Sequence, residues 1–151
     1  MQKLNLPEHT FRFKEEDNKT YIFDNFRKKY VVLTPEEWVR QNFLMYLITE
    51  LDFPKSLISV EAGLKLYQRV KRTDIVVYEK QGNPLLIVEC KAPDVKIDEK
   101  VFDQIVRYNM ALQVNYLVVT NGLDHYCCRL DYEKNSYNFL KTVPNYKFIL
   151  T

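Results

Sequence analysis

Residues 74–91 read Asp74-Ile75-Val76-Val77-Tyr78-Glu79-Lys80-Gln81-Gly82-Asn83-Pro84-Leu85-Leu86-Ile87-Val88-Glu89-Cys90-Lys91. Two runs of strand-forming, β-branched residues flank Gln81-Gly82-Asn83-Pro84, which is turn chemistry. The reading is a hairpin of strands 74–78 and 85–91. Its second run is apolar on both faces up to Glu89, which predicts a central strand in a sheet covered on both sides. Pro93 ends it. With the turn near Gly82, opposed positions sum to about 163–164, so Asp74 faces Glu89 or its neighbour. Glu89 and Lys91 are two apart and share one face.

Upstream, Thr34-Pro35-Glu36-Glu37 announces a helix. Thr34 suits the N-cap, Pro35 the first turn, and Glu37 the closing position of a capping box. Trp38, Val39, Phe43, Leu47, Ile48 and Leu51 keep helical spacing to about residue 51, where Asp52-Phe53-Pro54 stops it. Residues 57–66 read as one strand, irregular around Gly63. Before the helix, three short strand candidates lie within residues 11–33.

Downstream, residues 98–112 fit a second helix with Val101, Ile105, Tyr108 and Leu112 as its apolar stripe. Tyr116-Leu117-Val118-Val119 is a buried strand, and Asn121-Gly122 a turn. Residues 126–130 form the next strand. Shorter β segments near 137–140 and 147–150 finish the chain. The order is a β-rich extension (1–33), an α/β core (34–131) and a C-terminal β extension (132–151), read together as a single domain with a mixed sheet flanked by helices.

Composition narrows the classes. The chain has 151 residues, 46% hydrophobic and 28% charged, which excludes disorder. With 22 Lys+Arg against 20 Asp+Glu, the net charge of +2 leaves binding to local clusters. Two clusters exist, Arg27-Lys28-Lys29 and Arg69-Val70-Lys71-Arg72. No apolar run reaches a membrane span, and residues 1–7 hold no signal-peptide core, so a cytoplasmic domain is the expectation. Cys90, Cys127 and Cys128 show no C-x-x-C spacing and read as reduced, buried thiols rather than zinc ligands.

Asp74, Glu89 and Lys91 converge at one sheet end. Two carboxylates can hold one Mg²⁺ while leaving positions for water and a phosphate oxygen. The ion makes a bound water more acidic, and a lysine orients it or steadies the phosphate charge. That combination cleaves phosphodiesters. The D/E-x-K pattern also occurs at Asp17/Lys19, Asp94/Lys96 and Asp98/Lys100. Of the four, the Glu89/Lys91 pair follows an apolar run and faces an acid across a hairpin. The competing reading is a structural ion pair at a strand end. Gln104 and Tyr108, four apart, share a helix face. An amide and a phenol there can bond substrate, or Tyr108 can simply be core.

Thr34-Pro35-Glu36-Glu37-Trp38-Val39-Arg40-Gln41, Arg72-Thr73-Asp74-Ile75-Val76-Val77-Tyr78, Val88-Glu89-Cys90-Lys91-Ala92-Pro93, Gln104-x-x-x-Tyr108 and Thr120-Asn121-Gly122 occur in order. In them the chain resembles the N-terminal domain of type I restriction enzyme R subunits, within the PD-(D/E)xK nuclease superfamily. The resemblance implies a restriction-endonuclease-like αβββαβ core and a Mg²⁺-dependent DNA endonuclease, with Mn²⁺ as substitute. It implies Asp74 and Glu89 as metal ligands, Lys91 as the catalytic lysine, and Gln104 and Tyr108 as auxiliary. A further acid would come from Glu37 or Glu61, with capping and a surface strand position as their competing explanations. Thr73 stands where the superfamily has Pro. Arg69, Lys71 and Arg72 are the expected DNA-phosphate contacts. No Walker A pattern occurs, so a motor or specificity protein supplied in trans is the expected partner beside DNA. The alternative is a catalytically silent nucleic-acid-binding or partner-binding module with the same fold.

Overall fold

The computed structural model describes the backbone of all residues except 62, 67 and 68, and the side chains of all except 62–72. The N-terminal extension is a three-stranded antiparallel sheet, β1 (Phe13–Glu16), β2 (Lys19–Asp24) and β3 (Lys29–Val32). Helix α1 (Pro35–Thr49) follows, with Thr34 as its N-cap accepting from the Glu37 N–H at 3.0 Å. Then come β4 (Ile58–Val60), β5 (Gly63–Leu66), β6 (Arg69–Arg72), β7 (Ile75–Tyr78) and β8 (Pro84–Cys90). Helix α2 (Glu99–Asn109), β9 (Tyr116–Thr120), β10 (His125–Asp131), β11 (Ser136–Leu140) and α3 (Tyr146–Ile149) complete the chain.

The central sheet has six strands in the order β11-β10-β9-β8-β7-β4, with β5 and β6 paired as a separate two-stranded ribbon. It is mixed: β8 and β9 are parallel and every other neighbouring pair is antiparallel. The parallel pair requires a crossover, and α2 supplies it.

Strand alternation splits the core into two layers. Ile75, Val77, Leu86 and Val88 pack with Val39, Phe43, Leu44 and Leu47 of α1. Val76, Ile87, Leu117 and Val119 pack with Phe102 and Val106 of α2. The β8 strand is thus covered on both faces, as its continuous apolar run predicts. The 74–91 hairpin closes around Gly82 at φ +96°. Its register pairs Ile75 with Val88 and Val76 with Ile87, on the sum of 163 that the turn implies.

Three expectations need correction. The single strand at 57–66 is interrupted: β4 ends at Val60, and Glu61 adopts φ +56°, a left-handed conformation that breaks a strand. The 147–150 segment is not extended but lies in α3, because Asn145 caps it, accepting from the Phe148 N–H at 2.9 Å. The C-terminal extension is therefore a strand followed by a helical turn. On α2 the buried side chains are Phe102, Val106 and Asn109, while Tyr108 is 66% exposed. The stripe is rotated by one residue from the expected one, so Tyr108 is not core.

Candidate active site at the ends of β7 and β8

Asp74 immediately precedes β7, and one further step of the register sets it beside Glu89. Its Oδ2 accepts the Cys90 N–H at 2.9 Å. Its main-chain carbonyl accepts from the Glu61 N–H at 2.9 Å. Both bonds fix Asp74 where three strands, β4, β7 and β8, come together. Glu89 has the parity of Ile87 and reaches the α2 side, where Asn109 Nδ2 lies 3.4 Å from its Oε1. Lys91 Nζ stands 3.6 Å from Glu89 Oε2. Asp74, Glu89 and Lys91 thus gather at one end of the sheet.

A charged network from α1 meets them. Arg40 Nη2 lies 2.5 Å from Asp74 Oδ1, 2.9 Å from Glu61 Oε1 and 3.3 Å from Glu36 Oε1. Its Nη1 donates to Glu37 at 2.7 Å. Glu37 is also gripped by both oxygens from Arg27, at 2.8 and 2.9 Å, and by Gln41 Nε2 at 3.0 Å. Arg27 closes the chain on buried Asp24 at 2.5 Å. Buried charges need such partners.

The two candidate further acids are now separated. Glu37 is buried and its carboxylate is committed to two guanidiniums and an amide, while its N–H donates to the Thr34 cap. Glu61 touches Arg40 at the rim and is partly exposed. Glu36, which the sequence reading left unassigned, joins the cluster. Its carboxyl is raised above its usual value, first by burial and then by the negative charge of Asp74, against the pull of Arg40 and Lys91. Arg40 and Asn109 were also missed. Their signal was polarity at buried helical positions: Arg40 is three residues after Glu37, and Asn109 four after Ile105.

Gln104 and Tyr108 are exposed on α2. Asn109, the next residue on α2, brings its amide within 3.4 Å of Glu89 Oε1. The side chains of Arg69, Lys71 and Arg72 lie outside the described residues; their backbone pairs with 63–66, Arg72 opposite Gly63. Cys90, on the α1 face, is buried, and burial first, then Asp74, pushes its thiol well above the ordinary range. That makes it a poor nucleophile or ligand.

The turn after β9 borders this region. Thr120 Oγ1 accepts from the Gly122 N–H at 2.9 Å, and Asn121 Oδ1 accepts from Leu123 and Asp124 N–H at 3.0 and 2.8 Å. The Asn121 amide reaches the Val95 carbonyl at 2.8 Å, tying this turn to the loop after Lys91.

Carboxylate oxygens are the hard donors that Mg²⁺ takes, commonly one or two per ion with water and phosphate completing the shell. Asp74 and Glu89 are donors of that chemical kind. Among the described residues no three His, Cys, Asp or Glu side chains form a ready-made cage.

Fold and site together define a mixed-sheet α/β domain with an acidic, lysine-flanked strand-end site. The chain belongs to the family described as type I restriction enzyme R protein N terminus, whose profile matches residues 35–144. Among solved structures it is similar to a fragment assigned as an HsdR subunit of a type I restriction enzyme from Vibrio vulnificus YJ016. The TM-score is 0.55 and the identity 18%, covering 78% of this chain and 25% of that one. The chain therefore spans a quarter of that fragment's length, and the likeness is one of fold. No curated protein matches the chain. No helix among the described residues is long and apolar enough to cross a membrane.

Proposed function

We propose that this domain is a Mg²⁺-dependent endonuclease that hydrolyses DNA phosphodiester bonds, with Mn²⁺ as a working substitute. The observation that carries the reading is the gathering of Asp74, Glu89 and Lys91 at the ends of β7 and β8, in a chain of the R-protein N-terminal family. Asp74 and Glu89 would hold the ion. When bound, Mg²⁺ supplies charge neutralisation at the phosphate and a more acidic water. Lys91 places an ammonium beside Glu89, where it orients the attacking water and steadies the negative charge of the phosphate. Gln104 and Tyr108 project from the exposed side of α2, offering an amide and a phenol to the backbone of the substrate. Arg69, Lys71 and Arg72 lie within the five residues before Asp74 in sequence and supply phosphate contacts. DNA is then the partner, with a motor or specificity protein working beside this domain.

One observation favours a second reading. Both Asp74 oxygens already have partners, Arg40 and the Cys90 N–H. A site closed in that way suits a catalytically silent DNA- or partner-binding module.

Incubation of purified protein with supercoiled plasmid and Mg²⁺, Mn²⁺ or EDTA separates the two. The nuclease reading expects nicking with either ion, none with EDTA, and none from a Glu89→Gln variant that melts like the wild type. Full cleavage by that variant would remove Glu89 from the site; DNA binding with no metal-dependent cleavage would favour the silent module.

A further inference from the structure

Arg40 sits where a cation is needed. Its side chain is 6% exposed, and one of its nitrogens, Nη2, serves three carboxylates, Asp74, Glu61 and Glu36. Its Nη1 is anchored on Glu37, which Arg27 and Gln41 hold in turn. The Arg40 Nε is buried with no hydrogen-bond partner among the described residues. A buried donor without a partner is costly, and a guanidinium free to choose its pose would not leave one. The side chain is therefore held in this pose by charge on its Nη2 edge.

We propose that Arg40 is the built-in counter-cation of this site: it neutralises the acids when no divalent ion is bound, and a metal ion enters by taking Asp74 from it. The inference rests on the metal-site reading above. An ion on Asp74 needs to come within about 2.1 Å of a carboxylate oxygen. The Asp74 Oδ1 that would receive it already has Arg40 Nη2 at 2.5 Å. Two positive centres on one oxygen repel strongly in a part-buried setting. Metal binding and the Arg40–Asp74 bond are thus competitive. The Nη1 anchor on Glu37 lets the guanidinium swing without leaving the helix surface, keeping Glu36 and Glu61 as partners. The consequence is a site that is closed and self-neutralised at low divalent concentration and opens as that concentration rises.

Calorimetric titration of Mg²⁺ and of Mn²⁺ into wild type, Arg40→Gln, Arg40→Lys and Arg40→Gln/Asp74→Asn tests this. Removing the like charge should tighten the apparent Kd of Arg40→Gln by about tenfold or more. Arg40→Lys should fall between, and the double variant should lose the gain. In parallel, the Arg40 Nε–H resonance of ¹⁵N-labelled wild type should shift with Mg²⁺ along the same binding curve, a readout that stands if Arg40→Gln does not fold. Unchanged or weaker Asp74-dependent binding in Arg40→Gln, or an Arg40 resonance unmoved at Mg²⁺ saturation, would overturn the counter-cation role and leave the nuclease reading intact. No Asp74-dependent binding in any variant would overturn both.

Discussion

The backbone N–H of Cys90 donates to Asp74 Oδ2 at 2.9 Å across sixteen positions of sequence. That bond clamps the start of β7 to the end of β8. It gives Asp74 a fixed place beside Glu89 that neither strand could impose alone. The same carboxylate accepts from Arg40 of α1, so one side chain joins helix, hairpin and site.

The network behind Arg40 should be felt in stability. Asp24 is fully buried and accepts from the Phe26 and Arg27 N–H groups and the Arg27 guanidinium. Burial alone would raise its carboxyl, but the bonds from Arg27 and Phe26 prevail and hold it below the usual value. A depressed folded-state value stabilises above the unfolded value and is lost as pH falls through the folded one. Asp24→Asn should therefore destabilise at neutral pH by about 1–3 kcal/mol. Urea midpoints should show the gap at pH 7 and its closing in strong acid.

Glu36 carries the opposite sign. Its folded value is raised, first by burial and then by Asp74. Such a group favours folding when protonated, and that contribution is lost as pH rises through the folded value. Glu36→Gln should melt higher than wild type at pH 7, with the difference absent below the carboxylate range. A thermal melt series against pH measures it; a variant less stable at pH 7 would show that the Arg40 contact outweighs the repulsion.

Gly122 should tolerate no side chain. Its φ is +86°, and a Cβ would lie 2.8 Å from Leu4 Cδ2 and 3.1 Å from Val39 Cγ2. The Asn5 N–H also donates to the Gly122 carbonyl at 2.8 Å, so the N-terminal segment is seated on this turn. Gly122→Ala should cost about 1–3 kcal/mol, combining left-handed strain with displacement of Leu4. Chemical denaturation checks the magnitude.

DNA binding should weaken steeply with salt and depend on Arg69, Lys71 and Arg72. Each lost phosphate contact should reduce the log–log salt slope by about 0.9. Neutralising all three should lower affinity without altering sequence preference, because phosphate contacts position rather than specify. Fluorescence anisotropy across a salt series decides it. An unchanged slope would make this segment a solvated surface.

Much of the architecture was legible because period-2 and helical patterns were strong where burial was complete. The 74–91 hairpin shows this best: an apolar run, a Gly turn and a second apolar run determine both register and centrality. Thr34 likewise marked the start of α1. What failed to read were places where one local contact overrode propensity. Glu61 turns left-handed with its N–H tied to the Asp74 carbonyl, and Asn145 caps a stretch whose Tyr, Phe and Ile otherwise suit a strand. In the candidate site, Asp74, Glu89 and Lys91 followed from alternation. Arg40 did not, because a lone arginine on a helix reads as solvated until four carboxylates from α1 and the strand ends are seen around it. The one-residue shift of the buried stripe on α2, from Tyr108 to Asn109, has a similar cause. A one-residue rotation of a helix leaves its composition unchanged, and packing of Phe102 and Val106 settles it.

The central claim is that Asp74, Glu89 and Lys91 form one hydrolytic site. Its most direct test is the single-turnover strand-cleavage rate on a labelled DNA duplex with saturating Mg²⁺, for wild type, Asp74→Asn, Glu89→Gln and Lys91→Met. The account predicts measurable cleavage by wild type and losses of about a hundredfold or more for each variant, the scale of removing one group from charge stabilisation or proton handling. Circular dichroism should stay native throughout. Wild-type rates in all three folded variants would contradict it.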